Sequence, residues 1–266
     1  MRRIEMAELS IKFFSNCLKR NTEFKMMLPN DPREDIPWEE NKHRPGDMKT
    51  ILLLHGYTGD ADIWVNREQA ASLNIAIVAP SGENGFWLDG EATGRKYASF
   101  VGSELIEYLR KTFGLAKTPD KTGVMGLSMG GFGALHTALA YPETFGCAAA
   151  LSSALIHNEV AKMKEGQGNS VANYEYYREC FGEPSKLAES DNNPEYLVKK
   201  LLDSGKKLPA IYMACGTEDF LLEPNRAFHK FLTDQGVEHV YEESEGIHDM
   251  KFWSKYAAVV MPRMFG

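Results

Sequence analysis

Residues 123–135 read GVMGLSMGGFGAL and contain the pattern G-x-S-x-G, with Ser128 at its centre. The apolar run Gly123–Leu127 before the serine predicts a buried strand, and the run Ala134–Ala140 after it predicts a helix. A serine on the tight turn between such a strand and helix adopts strained backbone angles, so glycines are needed on either side to avoid collisions. The free N–H groups at the start of the helix would also face developing negative charge. The stretch therefore predicts a nucleophile at Ser128.

Short apolar runs without alternation recur on both sides of this stretch, as expected for strands that are covered on both faces. They are Thr50–Leu54, Ile75–Ala79, Gly123–Leu127, Cys147–Leu151 and Ile211–Cys215. Helical periodicity appears at Glu104–Thr112 and Ala227–Leu232, and a last strand is predicted at Val237–Tyr241, before a final helix around Phe252 and Tyr256. Because strands separated by helices form a parallel sheet, the sequence predicts an α/β fold with helices on both faces.

The N-terminal region differs from this pattern. Apolar side chains alternate over Leu9–Phe13, and Phe24–Met26 follows a polar turn at Lys19–Asn21. These features predict an antiparallel hairpin on an otherwise mostly parallel sheet. A proline-rich acidic loop follows from Leu28 to Met48.

A second departure lies at Leu155–Leu208, between two predicted parallel strands. The segment is polar, contains glycines and prolines, and carries several tyrosines. We interpret it as a small helical cap over the carboxyl ends of the strands, and the alternative is an ordinary surface excursion. The prediction is one domain over residues 1–266, with a cap insertion at about residues 155–208.

Composition narrows the classes of protein to consider. The 266-residue chain is 43% hydrophobic and 25% charged, as is ordinary for a globular protein, and its formal net charge of −7 argues against nucleic acid as a partner. No stretch approaches the roughly 18 apolar residues of a membrane span, and Met1–Glu5 has the charge of a signal peptide without its apolar core. The four cysteines lie far apart, as expected for free thiols, and no metal-ligand spacing occurs. We expect a cytoplasmic protein without membrane, nucleic-acid or metal partners.

An acid and a base should follow the nucleophile in the chain. Glu218 and Asp219 both follow the strand Ile211–Cys215, and Asp219 is favoured because a shorter side chain is held more rigidly. His248 lies in the loop between the last predicted strand and the final helix, from which a base can reach the serine, whereas His239 lies within that strand. We therefore predict Ser128, Asp219 and His248 as the catalytic residues, and Asp249 as the cap of the final helix.

The segment His55-Gly56-Tyr57 lies at the carboxyl end of the strand Thr50–Leu54. In this arrangement one oxyanion donor comes from the loop after that strand and the other from the residue after the nucleophile. The backbone amides of Tyr57 and Met129 are the predicted donors. Gly56 would let the main chain approach the substrate carbonyl, and we interpret His55 as a structural imidazole.

Aromatic residues near the expected rim could line a substrate cleft or belong to the core. They are Trp64, Phe86, Trp87 and Tyr97. Among them, Trp87 is the first candidate for a substrate contact.

The segments His55–Gly59, Gly126–Leu135, Gly216–Asp219 and Gly246–Trp253 resemble the putative-esterase family of α/β-hydrolases related to esterase D. Within it the chain is most similar to bacterial tributyrin esterases. The resemblance favours Asp219 as the acid and implies a serine carboxylesterase that hydrolyses short-chain acyl esters through an acyl-enzyme. It also implies that no cofactor is needed, and homo-oligomers are frequent in the family.

Other functions stay open. The same family includes feruloyl and acetylxylan esterases and S-formylglutathione hydrolases. The last group typically has histidine where this chain has Leu127 and Phe132, which makes formylglutathione a poorer match. A peptidase and a non-catalytic binding protein on the same fold are the remaining alternatives.

Overall fold

A single mixed sheet forms the centre of the computed structural model, which describes residues 6–29 and 48–265. Its strands are β1 (Ala7–Ser15), β2 (Arg20–Leu28), β3 (Lys49–Leu54), β4 (Ile75–Pro80), β5 (Thr122–Leu127), β6 (Cys147–Leu151), β7 (Ala210–Gly216) and β8 (Val240–Ser244). Their spatial order is β1-β2-β4-β3-β5-β6-β7-β8. Strands β3 to β8 run parallel to one another. Strands β1 and β2 form an antiparallel hairpin, and β2 pairs antiparallel with β4. The predicted mostly parallel sheet with an N-terminal hairpin is confirmed.

Helices cover both faces of the sheet. They are α1 (Arg67–Ser72), α2 (Tyr97–Ser99), α3 (Leu105–Phe113), α4 (Met129–Ala140), α5 (His157–Val160), α6 (Tyr174–Phe181), α7 (Pro194–Asp203), α8 (Leu222–Asp234) and α9 (Met250–Val260). One face carries α1 and α9, and the other carries α3, α4 and α8. Among the helices of the described chain, none combines the length and the apolar character that crossing a membrane requires.

The central strands are buried on both faces, and this explains their uninterrupted apolar runs. In β3, Leu52 and Leu54 pack into the core beneath α3, α4 and α8, while Ile51 and Leu53 pack into the core beneath α1 and α9. Successive side chains of a strand point to opposite faces, so both parities must be apolar. The apolar run Thr50–Leu54 therefore predicted strand β3 correctly.

Two predicted boundaries, of the hairpin turn and of the last strand, were wrong. The hairpin turn spans residues 16–19, since Arg20 already pairs with Ser15. The last strand begins at Val240 and not at Val237, because Val237 completes the end of α8: its N–H donates to the Leu232 carbonyl at 2.9 Å beside Gly236 at φ +68°. His239 consequently lies before the strand, where its Nε2 is 2.7 Å from His229 Nδ1.

The segment between β6 and β7 contains α5, α6, a 3₁₀ turn at Pro184–Glu189, and α7. Its first half reaches the carboxyl ends of the strands, where Val171 and Tyr177 line a cavity. Its second half packs against α4 through α7. The proposed loop at Leu28–Met48 lies almost entirely outside the described residues, and so does Met1–Glu5. Of the cysteines, all free, three are buried and Cys17 is half-buried.

Candidate active site

Three side chains from distant parts of the chain meet at the carboxyl edge of the sheet. Ser128 lies directly before α4, Asp219 follows β7, and His248 precedes α9. The His248 Nε2 lies 2.9 Å from Ser128 Oγ, and its Nδ1 lies 3.0 and 2.9 Å from the two carboxylate oxygens of Asp219. Because an ionised carboxylate can only accept, Nδ1 carries the proton and Nε2 is left to accept from the serine hydroxyl.

Ser128 occupies a strained turn between β5 and α4. Its backbone adopts φ +55° and ψ −120°, a region that side-chain-bearing residues rarely enter. Neighbouring glycines make this turn possible: a Cβ on Gly126 would overlap the carbonyl of Gly130, and one on Gly130 would overlap the carbonyl of Leu54. The turn places the hydroxyl at the N-terminus of a helix, where partial positive charge is concentrated.

Asp219 is buried, and both of its carboxylate oxygens are within hydrogen-bonding distance of His248 Nδ1. Besides His248, its Oδ1 accepts the backbone N–H of Leu221 at 2.9 Å. Burial raises the pKa of the Asp219 carboxyl, but the hydrogen bonds from His248 and Leu221 outweigh it and hold the pKa below its ordinary value. Asp219 is therefore an ionised acceptor at neutral pH.

Glu218, the competing acid, has a different position. Its Oε2 accepts the backbone N–H of Gly246 at 2.8 Å, and its own N–H donates to the Gly246 carbonyl at 3.0 Å. These two bonds tie the β7 loop to the loop that carries His248. Glu218 thus fixes the loop that carries His248 without contacting the imidazole.

Two aromatic rings flank the His248 imidazole. The Phe220 ring lies 4.5 Å from it and the Trp253 ring lies 4.8 Å from it, the latter at an interplanar angle of 90°. These ring contacts are additional to the hydrogen bonds that orient the imidazole. Asp249 caps α9, as predicted, by accepting the N–H of Phe252 at 2.9 Å.

The Tyr57 amide is oriented by the peptide group that it shares with Gly56. The Gly56 carbonyl accepts the Nδ1–H of His55 at 2.8 Å and the N–H of Gly59 at 3.0 Å. In a trans peptide the carbonyl and the following N–H point in opposite directions, so fixing one fixes the other. Tyr57 and Met129 both line the cavity, and within the described chain neither N–H has a hydrogen-bond partner.

His55 is a buried neutral imidazole. Its Nε2 accepts the N–H of Gly82 at 2.9 Å, which requires the proton on Nδ1, where it is donated to Gly56. Burial lowers the pKa of His55 and keeps the ring in this form. This geometry agrees with the interpretation of His55 as a residue that holds its loop.

Asn84 was missed by the sequence reasoning. Its Oδ1 accepts the N–H of Thr58 at 2.8 Å, and its carbonyl accepts the hydroxyl of Tyr176 at 2.5 Å. It thereby links the loop of Tyr57 to helix α6. One asparagine in a loop carries no motif, and its only signal is its place just after the strand Ile75–Pro80, at the edge of the sheet where Ser128 lies.

A cavity of about 790 Å³ opens above Ser128. Aromatic side chains form much of its wall, namely Tyr57, Trp64, Phe86, Tyr177, Phe220 and Trp253. Gly56 lies beside the nucleophile, since a Cβ there would come 3.4 Å from Ser128 Cβ. Within residues 6–29 and 48–265, no group of three or more His, Cys, Asp or Glu side chains is arranged to hold a metal ion.

Trp87 was wrongly expected to contact substrate. The side chain is 0% exposed and does not line the cavity. Its ring occupies the space left by Gly82 and Gly133, and its Nε1–H donates to the His55 carbonyl at 3.2 Å. Because neither glycine has a side chain, the Trp87 ring fits into the core at this position. Tyr97 is also fully buried.

The sequence model of the family described as "Putative esterase" matches residues 15–259. Over 257 residues the chain is 42% identical to an acetyl esterase of Caldicellulosiruptor saccharolyticus, a match that covers 95% of this chain and 96% of that one. The chain belongs to this esterase family. The predicted family resemblance is thereby confirmed, and the protein is an esterase.

Solved structures share the fold of the esterase. FphF, a fluorophosphonate-binding serine hydrolase of Staphylococcus aureus, has a TM-score of 0.82 at 22% identity, covering 98% of this chain and 99% of that one. FrmB, an S-formylglutathione hydrolase of Staphylococcus aureus, has a TM-score of 0.80 at 23% identity, covering 98% and 100%. A ferulic acid esterase has a TM-score of 0.72 at 20% identity, covering 99% of both chains. At these identities the likeness confirms the α/β-hydrolase fold.

The lowered pKa of Asp219 predicts how the stability of the esterase depends on pH. A carboxyl whose pKa is lower in the folded state stabilises the fold above its unfolded value, here about 3.8, and loses this effect as the pH falls through the folded value. Asp219→Asn should therefore lower the free energy of unfolding most at neutral pH, and the difference from the wild type should shrink below about pH 4. Urea unfolding followed by fluorescence over this range measures it. If the difference in free energy of unfolding between the wild type and Asp219→Asn grew towards acid pH, the lowered pKa of Asp219 would be contradicted.

Proposed function

We propose that this esterase hydrolyses carboxylic esters with short acyl chains through Ser128, His248 and Asp219, by way of an acyl-enzyme. The observation that carries the proposal is the continuous chain of hydrogen bonds from Asp219 through His248 to the Ser128 hydroxyl at the floor of a cavity. A serine hydroxyl is a weak nucleophile unless an oriented base accepts its proton.

The first step is attack on the ester carbonyl. His248 Nε2 takes the proton of the Ser128 hydroxyl as Oγ bonds to the carbonyl carbon, and the carbonyl π electrons move onto the oxygen. The imidazolium so formed is stabilised by the Asp219 carboxylate at Nδ1. The backbone N–H groups of Tyr57 and Met129 donate to the new oxyanion, which is where preorganised donors contribute most.

The second half restores the enzyme. The tetrahedral intermediate collapses, the bond to the alcohol oxygen breaks, and His248 returns its proton to that oxygen. Water then gives a proton to His248 and attacks the acyl carbon, and collapse of the second intermediate releases the acid and returns the proton to Ser128 Oγ. Water is the only co-reactant that this sequence needs.

A sequence relative and the cavity both bear on the identity of the acyl group. The relative that is 42% identical over nearly the whole chain is an acetyl esterase, which favours acetate and other short acyl groups. The cavity, at about 790 Å³ with six aromatic side chains in its wall, favours hydroxycinnamoyl esters as a second candidate. Turnover of methyl ferulate beside short-chain esters separates the two.

The charge of the cavity argues against S-formylglutathione as substrate. Asp60, Asp62 and Glu159 line it, and among the described residues of its wall none is a lysine or an arginine. Hydrogen bonds from Ser81 and from the N–H of Ala61 lower the pKa of Asp60, so that its charge is retained. An anionic tripeptide thioester would be repelled by these carboxylates, whereas a neutral ester would not.

Ser128→Ala should reduce kcat/KM for p-nitrophenyl acetate by about four orders of magnitude or more, with the fold intact, because the attacking oxygen is lost. Ser185→Ala is the matched control, since Ser185 is exposed in the 3₁₀ turn Pro184–Glu189 and does not line the cavity. Its activity should stay within about twofold of the wild type. Wild-type turnover by a folded, highly purified Ser128→Ala enzyme would refute the proposal.

The two candidate acids can be compared directly. Asp219→Asn leaves an amide opposite His248 Nδ1 and should lower kcat by about a thousandfold or more, because the imidazolium loses its counter-charge. Glu218→Gln keeps an oxygen that can accept the Gly246 N–H and should change kcat less than about tenfold. Steady-state kinetics on one ester, with circular dichroism to confirm folding, decides between them. The reverse order of effects would assign the acid to Glu218.

A further inference from the structure

Phe220 is an aromatic side chain in an unusual place. It follows Asp219 directly and lines the cavity, and yet 73% of its surface is exposed. An exposed ring of this size gains free energy when a bound group covers it, and this ring lies at the wall of the cavity above Ser128. Its ring already contacts the His248 imidazole at a centroid distance of 4.5 Å.

Two further apolar side chains line the cavity close to His248 in sequence. Met250, 45% exposed at the start of α9, lines the cavity, as does Trp253 one turn further along. We call Phe220, Met250 and Trp253 together the His248 wall. The nearby carboxylates are engaged with backbone N–H groups, Glu218 with Gly246 and Asp249 with Phe252. The three side chains of the His248 wall are themselves uncharged, and each of the two neighbouring carboxylates already accepts a backbone N–H.

The chemistry of ester cleavage determines which part of a substrate meets this wall. When the tetrahedral intermediate collapses, the leaving oxygen must take a proton from His248 Nε2 and so must lie within hydrogen-bonding distance of it. The oxyanion is directed at the same time to the Tyr57 and Met129 amides. The alcohol portion of the ester consequently extends along the side of the cavity that carries the imidazole.

We propose that the His248 wall is the alcohol subsite and that it selects esters of apolar alcohols, with Phe220 as the main contact. The inference rests on the proposed roles of Ser128 and His248. Phe220 contributes by packing against the alcohol group, and it binds the ground state and the transition state alike. Its removal should therefore act on kcat/KM mainly for substrates with a large apolar alcohol.

The test compares methyl acetate, benzyl acetate and methyl phenylacetate as substrates of Phe220→Ala. Methanol and benzyl alcohol are of similar acidity, so the first two esters differ chiefly in the size of the alcohol, and the third places the ring on the acyl side. For benzyl acetate kcat/KM should fall about tenfold, as expected for one uncovered aromatic contact. For methyl acetate and methyl phenylacetate it should stay within about twofold. Met250→Ala should show the same selectivity with a smaller effect.

A matched control is Phe14→Ala, which removes another exposed phenylalanine, 55% exposed in β1 and outside the cavity. It should change none of the three rates. An equal fall for all three esters in Phe220→Ala would mean that the ring only orients His248. A fall confined to methyl phenylacetate would place it on the acyl side, and no change would leave it without a role. Each of these results overturns the alcohol subsite.

The same substrates separate this inference from the function on which it rests. If Ser128→Ala abolishes benzyl acetate hydrolysis while Phe220→Ala does not discriminate, only the alcohol subsite fails. If Ser128→Ala retains the activity, the nucleophile itself is wrong.

Discussion

Ser128 holds φ +55° and ψ −120° at the point where β5 ends and α4 begins, and every other part of the site is arranged around this strained turn. The turn persists because the surrounding core determines it: β5 and α4 are buried almost throughout, and Gly126 and Gly130 allow backbone to lie where side chains would collide. With the hydroxyl fixed above the sheet, the loops after β3 and β7 and the loop after β8 can each supply one part of the chemistry from a rigid edge.

The parts that the sequence predicted are those set by local pattern. Uninterrupted apolar runs such as Thr50–Leu54 reflect burial on both faces, and the glycines around Ser128 reflect steric need, so both are visible without coordinates. What failed depended on packing between distant segments. Val237 looks like strand but completes the end of α8, and Trp87 looks like a rim residue but fills the space left by Gly82 and Gly133. Asn84 went unseen because its importance lies in two partners, Thr58 and Tyr176, that only folding brings together.

The cavity wall differs in chemistry from one side to the other. The His55 loop and the start of α4 provide backbone donors, the three carboxylates Asp60, Asp62 and Glu159 provide negative charge, and Phe220, Met250 and Trp253 provide apolar surface beside the base. This distribution supports the proposed neutral ester substrate with an apolar alcohol. Asn84 accepts hydrogen bonds from Tyr176 of helix α6 and from Thr58 in the loop of Tyr57. The segment between β6 and β7 is thereby linked to the loop of Tyr57.

Covalent labelling tests directly whether Ser128 is the nucleophile. The wild-type protein is treated with a fluorophosphonate, digested with trypsin and analysed by tandem mass spectrometry; residues 122–162 form one tryptic peptide. The account predicts one phosphonyl group per chain, with fragment ions that assign it to Ser128 and not to Ser152 or Ser153 of the same peptide. An adduct on any other residue, or a folded and ester-hydrolysing protein that takes up none, would contradict it.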